Sequence, residues 1–462
     1  MAFVEQPGVL KIRLVSHASV VISCGDTKIW TDPWVVGRAF NDSWTLWPPP
    51  AFSAAVLEGV DYLWISHEHP DHLNFPTLAA LPAHFRAQVT LLFQDNNPER
   101  IFTPLRQLDF RKFQVLPHRS ITQLTARTAI YCYRVGTLDS CLGVISDGQT
   151  ALNLNDARLN AADYARILHD IGPVDAVLNQ FSVAVKDPVV DYQQHARAAG
   201  QHVLQSVAAD HRGLRAKVTV PFASFMYFSS IDNAHMNAFS NTPRDVFDFC
   251  RDRGQEVIVL YPGDEYGVSQ PHDSALALTR YEAAYAKLRS RAYDIPAVVR
   301  LSQLAEAFQG LARNLRARYP QFLLRSLHPL HIRIPDLDAT VKLTLATGAM
   351  SPAATNAKPD AEIYSQPLHY CLTQTWGMGT LTNSARFTLL RDERNWRAHK
   401  ALFALNNAGV YLRSRYLLRR QNWAYLKDRL NGMMRYTERT RAHVRQRPSL
   451  ICDDAVECPH DP

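Results

Sequence analysis

The sequence lacks any run of eighteen apolar residues, so no helical membrane span is expected. Its first residues, MAFVEQPGVLKIRLV, lack the basic start and apolar core of a signal peptide, and no leader is expected. Cysteine is sparse: there are seven, an odd number without regular spacing, which argues against a disulfide framework and for a reducing cytoplasm. Zinc-finger, P-loop and RNA-recognition patterns are missing, as is any internal repeat, so nucleic acid is not expected as a partner.

What is present is an ordinary globular composition, 47% hydrophobic, in a chain of 462 residues. That length predicts two domains, or one large domain with additions. The formal charge of +7 is uneven: Arg386 to Arg447 holds sixteen Lys/Arg against four Asp/Glu. Such a run reads first as solvated helix faces. It also offers an anionic substrate handle a place to sit.

Paired strands are expected at the start, one running to about Cys24, a turn at Gly25-Asp26, and a second to Trp30. VDYLWIS reads as a short buried strand, followed by a loop and a helix beginning at FPTLAAL. VTLLF and KFQVLP are further strands, and LGVISDGQTALNLND is a hairpin turning at Asp147-Gly148 and ending at Asp156. Helices and strands then alternate. From about Ile295 an amphipathic helix precedes an α+β unit, in which HIRIPDLDATVKLTLAT and EIYSQPLHYCL both read as strands, and the last part is helical and basic. Hairpins followed by β-α units predict two sheets packed face to face with helices outside.

The densest chemistry lies in LWISHEHPDHLN, where three histidines and an aspartate fall within six positions after a strand end. In an extended segment, His67 and His69 project to one side and can share an ion. Asp71 and His72 come one turn later and can hold a second. Two ions about 3.5–4 Å apart need a bridging group. Asp156, at the end of a later strand, is placed for it. Imidazole suits zinc, iron and manganese, and carboxylate leans toward harder ions.

SHEHPDH at Ser66–His72, TDPW at Thr31–Trp34 and LNLNDA resemble the metallo-β-lactamase-fold superfamily. TDPW, LDSC at Leu138–Cys141 and VPFASF at Val220–Phe225 are similar to its CMP-N-acetylneuraminate hydroxylase-like branch. The resemblance covers roughly residues 10–270 and implies an αββα sandwich with a dinuclear metal site on one edge. It implies that His67 and His69 bind the first metal, that Asp71 and His72 bind the second, and that Asp156 bridges. Superfamily hydrolases add a histidine before the bridging hairpin; here Asp139 is the nearest candidate. Their final histidine follows a Pro-x-His strand end, where this chain has Pro221-Phe222-Ala223. His235 is the candidate substitute, His118 a weaker one for either gap, and His17 is expected to pack beside the metals rather than bind them.

These residues predict a nonheme diiron monooxygenase that hydroxylates an unactivated carbon with dioxygen, using two Fe2+ ions with Asp71 and Asp156 as its catalytic carboxylates. The resemblance extends to diiron monooxygenases of natural-product biosynthesis, which implies a natural-product or terpenoid-like substrate carried as a coenzyme A thioester. Hydroxylases of the branch carry a Rieske domain, and this chain has no Cys-x-His with Cys-x-x-His pair, so a separate electron donor is expected. Two alternatives remain open. A dinuclear Zn2+ hydrolase of a phosphodiester, lactone or amide would be colourless and indifferent to oxygen. A binding protein with an incomplete ligand set would hold metal weakly. The expected domains are 1–295 (catalytic), 296–445 (accessory α+β, basic and helical at its end) and a poorly ordered tail, 446–462.

Overall fold

The structure, a computed structural model, describes residues 8–423 apart from 26, 137, 184–188, 191, 392 and 417–421. The expected tail at 446–462 and much of the basic region lie outside the described residues.

Two seven-stranded sheets form the N-terminal unit. The first runs in the order Glu265–Gly267, Lys11–Ser16, Ser19–Cys24, Thr27–Thr31, Tyr62–Trp64, Thr90–Gln94 and Lys112–Leu116. Its first four strands pair antiparallel and the remainder parallel. The second runs Glu256–Val257, Val218–Phe222, Ala176–Gln180, Gln149–Asn155, Asp139–Ser146, Thr128–Val135 and Ser120–Gln123. Alternation along the facing strands buries Ile12, Leu14, Val20, Ile22, Ile130, Leu142, Val144, Leu178 and Val220 in one cluster between the sheets.

The outer faces are covered by helices. Phe75–Ala80, Ala83–Gln88 and Glu99–Gln107 place Leu78, Phe85, Ile101, Phe102 and Leu105 against the first sheet. Ala161–Ile171 places Ile167 against the second. A helix-sheet-sheet-helix stack results, as expected.

A separate apolar cluster spans Leu304 to Phe403. Its sheet has the order Ala349–Pro352, Ala339–Thr344, Leu330–Ile334, Ala361–Glu362 and Thr388–Leu389. The helices Leu301–Arg318, Ser365–Thr373, Gly377–Asn383 and Glu393–Asn407 accompany it.

Two local readings change. KIRLVSHASVVISC is a hairpin of two strands turning at His17-Ala18, with a register shift between Leu14 and Ser16. Apolar residues continue through that turn, so the pattern alone hides it. EIYSQPLHYCL is a strand only at Ala361–Glu362; Ser365–Thr373 is helical, with Pro367 in the first turns, where no intrahelical N–H is needed.

Candidate metal centre

Tyr62–Trp64 lies between two parallel neighbours, Thr27–Thr31 and Thr90–Gln94, and its end is therefore rigid. The chain leaves it into the His67–His72 loop. That loop closes as a turn, with the His72 and Leu73 N–H groups donating to the His69 carbonyl at 3.0 and 2.7 Å. Asn74 ends it: its side chain accepts from the Thr77 N–H at 2.9 Å and donates to the Pro70 carbonyl at 2.9 Å.

Asp32, at the end of the neighbouring strand, fixes the imidazoles from beneath. Its Oδ1 accepts the Ser66 N–H at 2.7 Å and its Oδ2 the Ser66 hydroxyl at 2.7 Å. Oδ2 also lies 2.9 Å from His72 Nδ1. Ser66 Oγ in turn lies 2.9 Å from His67 Nδ1. With both Nδ1 atoms engaged, both Nε2 atoms are turned toward the centre.

The second sheet supplies the facing side. Ser140 Oγ donates to the Ser66 carbonyl at 2.7 Å, and Asn155 Nδ2 donates to the Ser140 carbonyl at 2.7 Å. Asp156 follows directly, its N–H donating to Asn155 Oδ1 at 2.6 Å. Asp156 Oδ2 then stands 3.5 Å from His72 Nε2 and 4.0 Å from His67 Nε2.

Two groups of potential ligands result, His67 with His69 and Asp156, and His17 with Asp71 and His72. Within each group the ligand atoms lie within 4.8 Å of one another. His67 Nε2 and His69 Nδ1 approach to 2.8 Å, and His17 Nε2 and Asp71 Oδ2 to 3.3 Å. Asp139 Oδ1 stands 4.0 Å from His67 Nε2, beside the first group.

The donor set fits metal ions. Asp71 Oδ1, Asp156 Oδ1 and His72 Nε2 are buried and have no hydrogen-bond partner among the described residues. Leaving such atoms unsatisfied costs about 1–3 kcal/mol each. A cation among imidazole and carboxylate donors removes that cost.

The electrostatics reflect the same crowding. Burial, then the neighbouring His72, pushes His67 down to about 4, against the pull of Asp156, Asp71 and Asp32. Burial opposes a charge on His72 as well. There Asp71, Asp156 and Asp32 outweigh it and hold the ring well above the usual histidine range. Burial alone would raise Asp71, but His72 and His17 bring it well below the usual carboxylate value. Asp139 is pushed up to about 6 by burial and then by Asp156.

Of the expected site residues, the structure brings together His67, His69, Asp71, His72 and Asp156, with Asp139 at their edge. It does not bring His235 there. That residue is exposed on the 3-10 helix Ala234–Phe239, and its ring meets Tyr192 at 6.3 Å. His118 is likewise elsewhere, its Nδ1 accepting the Arg134 N–H at 2.9 Å.

His17, expected only to pack nearby, joins the second group instead. The reason is the hairpin turn described above. The carbonyl of His17 accepts the N–H of Ala223, the residue standing where the family pattern has its final histidine, at 2.8 Å. The His17 ring enters from the turn between Lys11–Ser16 and Ser19–Cys24. Asp32 was the residue missed. An acid ending an apolar strand in TDPW was the available signal.

Residues 11–162 match the family model for a beta-lactamase superfamily domain, and the N-terminal unit has the metallo-β-lactamase fold. Over 75 residues the chain is 44% identical to the cytidine monophosphate-N-acetylneuraminic acid hydroxylase of Asterias rubens, covering 16% of this chain and 12% of that protein. It is also 28% identical over 357 residues to a Mycobacterium tuberculosis protein named as a Rieske 2Fe-2S iron-sulfur protein, covering 69% and 67% of the two chains. Among solved structures, a diiron beta-hydroxylase from Streptomyces venezuelae is similar with a TM-score of 0.41 and 16% identity, over 57% of this chain and 54% of that one.

Proposed function

We propose that the protein is a nonheme diiron monooxygenase that hydroxylates an unactivated carbon of a small molecule. The observation that carries this reading is the pair of histidine–carboxylate groups meeting at Asp156. His67 and His69, with Asp139, would hold one iron. His17, Asp71 and His72 would hold the other, with Asp156 between them. A carboxylate at Asp139 in place of a third histidine favours iron in higher oxidation states. The identity to a named hydroxylase supports the same class of reaction.

When bound, the metal pair supplies the activation of dioxygen. The overall reaction takes one substrate C–H bond, dioxygen, two electrons and two protons, and gives the alcohol and water. The two ligand groups contain no cysteine, and we assign the electrons to a separate donor. The Mycobacterium relative's name suggests a Rieske-type cluster as that donor's class.

The chain's own residues do the rest. Asp32 and Ser66 hold His67 and His72 in place. Trp34 meets His17 edge-on at 5.3 Å, Trp44 lies tilted to it at 6.5 Å, and Phe40 lies 5.9 Å from His69. These rings exclude water and suit an apolar, terpenoid-like substrate. A coenzyme A carrier would meet exposed Arg394 and Arg397.

A second reading, a dinuclear zinc hydrolase, is favoured by the four histidines in the two groups. Anaerobic purification with elemental analysis, followed by oxygen-uptake assays, separates the two. Two irons per chain and reductant-dependent oxygen uptake are expected, with Asp156→Ala falling to one ion or none. Colourless zinc protein with oxygen-independent hydrolysis contradicts the proposal, and two ions retained in Asp156→Ala remove that residue as the bridge.

A further inference from the structure

His69 is held differently from its neighbours. His67 and His72 are anchored through their Nδ1 atoms, to Ser66 Oγ and to the Asp32 carboxylate. The polar contact of His69 is with His67 itself, Nδ1 to Nε2 at 2.8 Å, and two nitrogens that share an ion give up that contact. Phe40 also lies against the His69 ring, at 5.9 Å and 58°.

Phe40 sits on an unusual piece of backbone. Phe40, Asn41 and Asp42 all have left-handed φ values of 50, 58 and 58°. None is glycine, so the turn is strained and persists only where its surroundings hold it. Part of the holding comes from within, through Ser43 Oγ donating to the Phe40 carbonyl at 2.8 Å.

A further part comes from the C-terminal unit. Gln366 and Asn41 exchange side-chain amide hydrogen bonds at 2.8 and 3.1 Å. Arg386 donates from Nη1 to the Asn41 carbonyl at 3.1 Å and to Gln366 Oε1 at 2.8 Å. Its Nε donates to Asp232 at 2.8 Å, and both members of that ion pair are buried, 3% and 4% exposed. A buried guanidinium held by Asp232 and Gln366, with one nitrogen donating to the strained turn, has few arrangements open to it. The first arginine of the basic run is therefore a buried clamp.

We propose that Arg386 is a positioning residue for the metal centre. It locks the left-handed 40–42 turn, which seats Phe40 on His69 and fixes that ring for the first ion. The C-terminal unit thereby completes the geometry of a site to which none of its described residues contributes a ligand. This inference rests on the metal-binding reading above.

The test is a titration of the metal-free full chain with cobalt(II), followed by visible absorption. Wild-type protein, Arg386→Gln, Phe40→Leu and Arg391→Gln are compared. The last breaks an ion pair with Asp360 in the same unit and serves as the structural control. The wild type and Arg391→Gln are expected to bind two ions identically. Arg386→Gln and Phe40→Leu are expected to weaken one of the two at least tenfold and alter its absorption bands, leaving the other unchanged. Amide exchange of residues 39–44 should rise in metal-free Arg386→Gln. Phe40→Leu keeps the clamp and guards against misfolding of the arginine variant. Two wild-type ions with both variants unchanged overturn this inference alone. A wild type that takes up no cobalt overturns the metal reading together with it.

Discussion

At the scale of single residues, Asp32 organises more of the centre than any residue of the histidine loop. Its carboxylate receives the Ser66 N–H and hydroxyl and faces His72 Nδ1, all within 2.9 Å. Its own φ of 39° is left-handed, a conformation an aspartate adopts at a cost. Residues that orient a metal-bound imidazole in this way are typically worth about 10–100-fold in metal affinity. Asp32→Asn is expected to lose affinity by that order for the ion held by His72, measured by competition with a chelator. The histidine loop was plain in the sequence, because six clustered positions need no tertiary information to be noticed. Asp32 and His17 were not. Their roles depend on which strands become neighbours, through the pairing of Thr27–Thr31 with Tyr62–Trp64 and the Ala223–His17 contact. Asp139 and His235 were nominated to fill gaps in a pattern. The first lies at the edge of the cluster, and local 3-10 geometry turns the second toward Tyr192.

At the scale of elements, carboxylates tie the second sheet to its covering helix, Asp163 at the Tyr133 hydroxyl and Asp170 beside it. Asp170, on Ala161–Ile171, accepts from Arg119 Nε and Nη2 at 2.8 and 2.6 Å and from the Tyr131 hydroxyl at 2.7 Å. The hydrogen bond from Arg119 is the main cause that holds Asp170 below the usual carboxylate range, against its burial. A depressed folded-state pKa contributes stability above the unfolded value, near 3.9, and loses it as pH falls through the folded value. Asp170→Asn is therefore expected to cost about 1–3 kcal/mol at neutral pH. The gap from wild type should close progressively below about pH 4, as followed by urea denaturation across pH. A gap independent of pH contradicts this account. Elements with long, regular patterns, such as Ala161–Ile171 and Leu301–Arg318, were legible in the sequence. Two boundaries were not, since the turn at His17-Ala18 and the helix start after Tyr364 interrupt apolar runs without a glycine to mark them.

At the scale of the whole molecule, the core between the two sheets and the cluster of the C-terminal unit are linked by a junction that is partly polar. One core lies between the two sheets of the N-terminal unit, and the other runs from Leu304 to Phe403. Asn233 Nδ2 bridges the Ser43 and Ser384 carbonyls at 3.2 and 2.8 Å, next to the Arg386–Asp232 pair. Such contacts orient more than they stabilise, because buried charge pairs recover little beyond their own desolvation. The sandwich was legible from its alternating strands. The junction was not, because its partners stand 151 to 345 positions apart.

No helix among the described residues is long and apolar enough to cross a membrane. The centre itself is assembled from both sheets of the N-terminal unit, and the claim that it holds two ions is the one on which the proposed chemistry rests. Anomalous diffraction at the iron edge, from crystals of anaerobically prepared protein, tests it most directly. The account predicts two peaks, one among His67, His69 and Asp156 and one among His17, Asp71 and His72. Crystals with no anomalous peak between these residues contradict it.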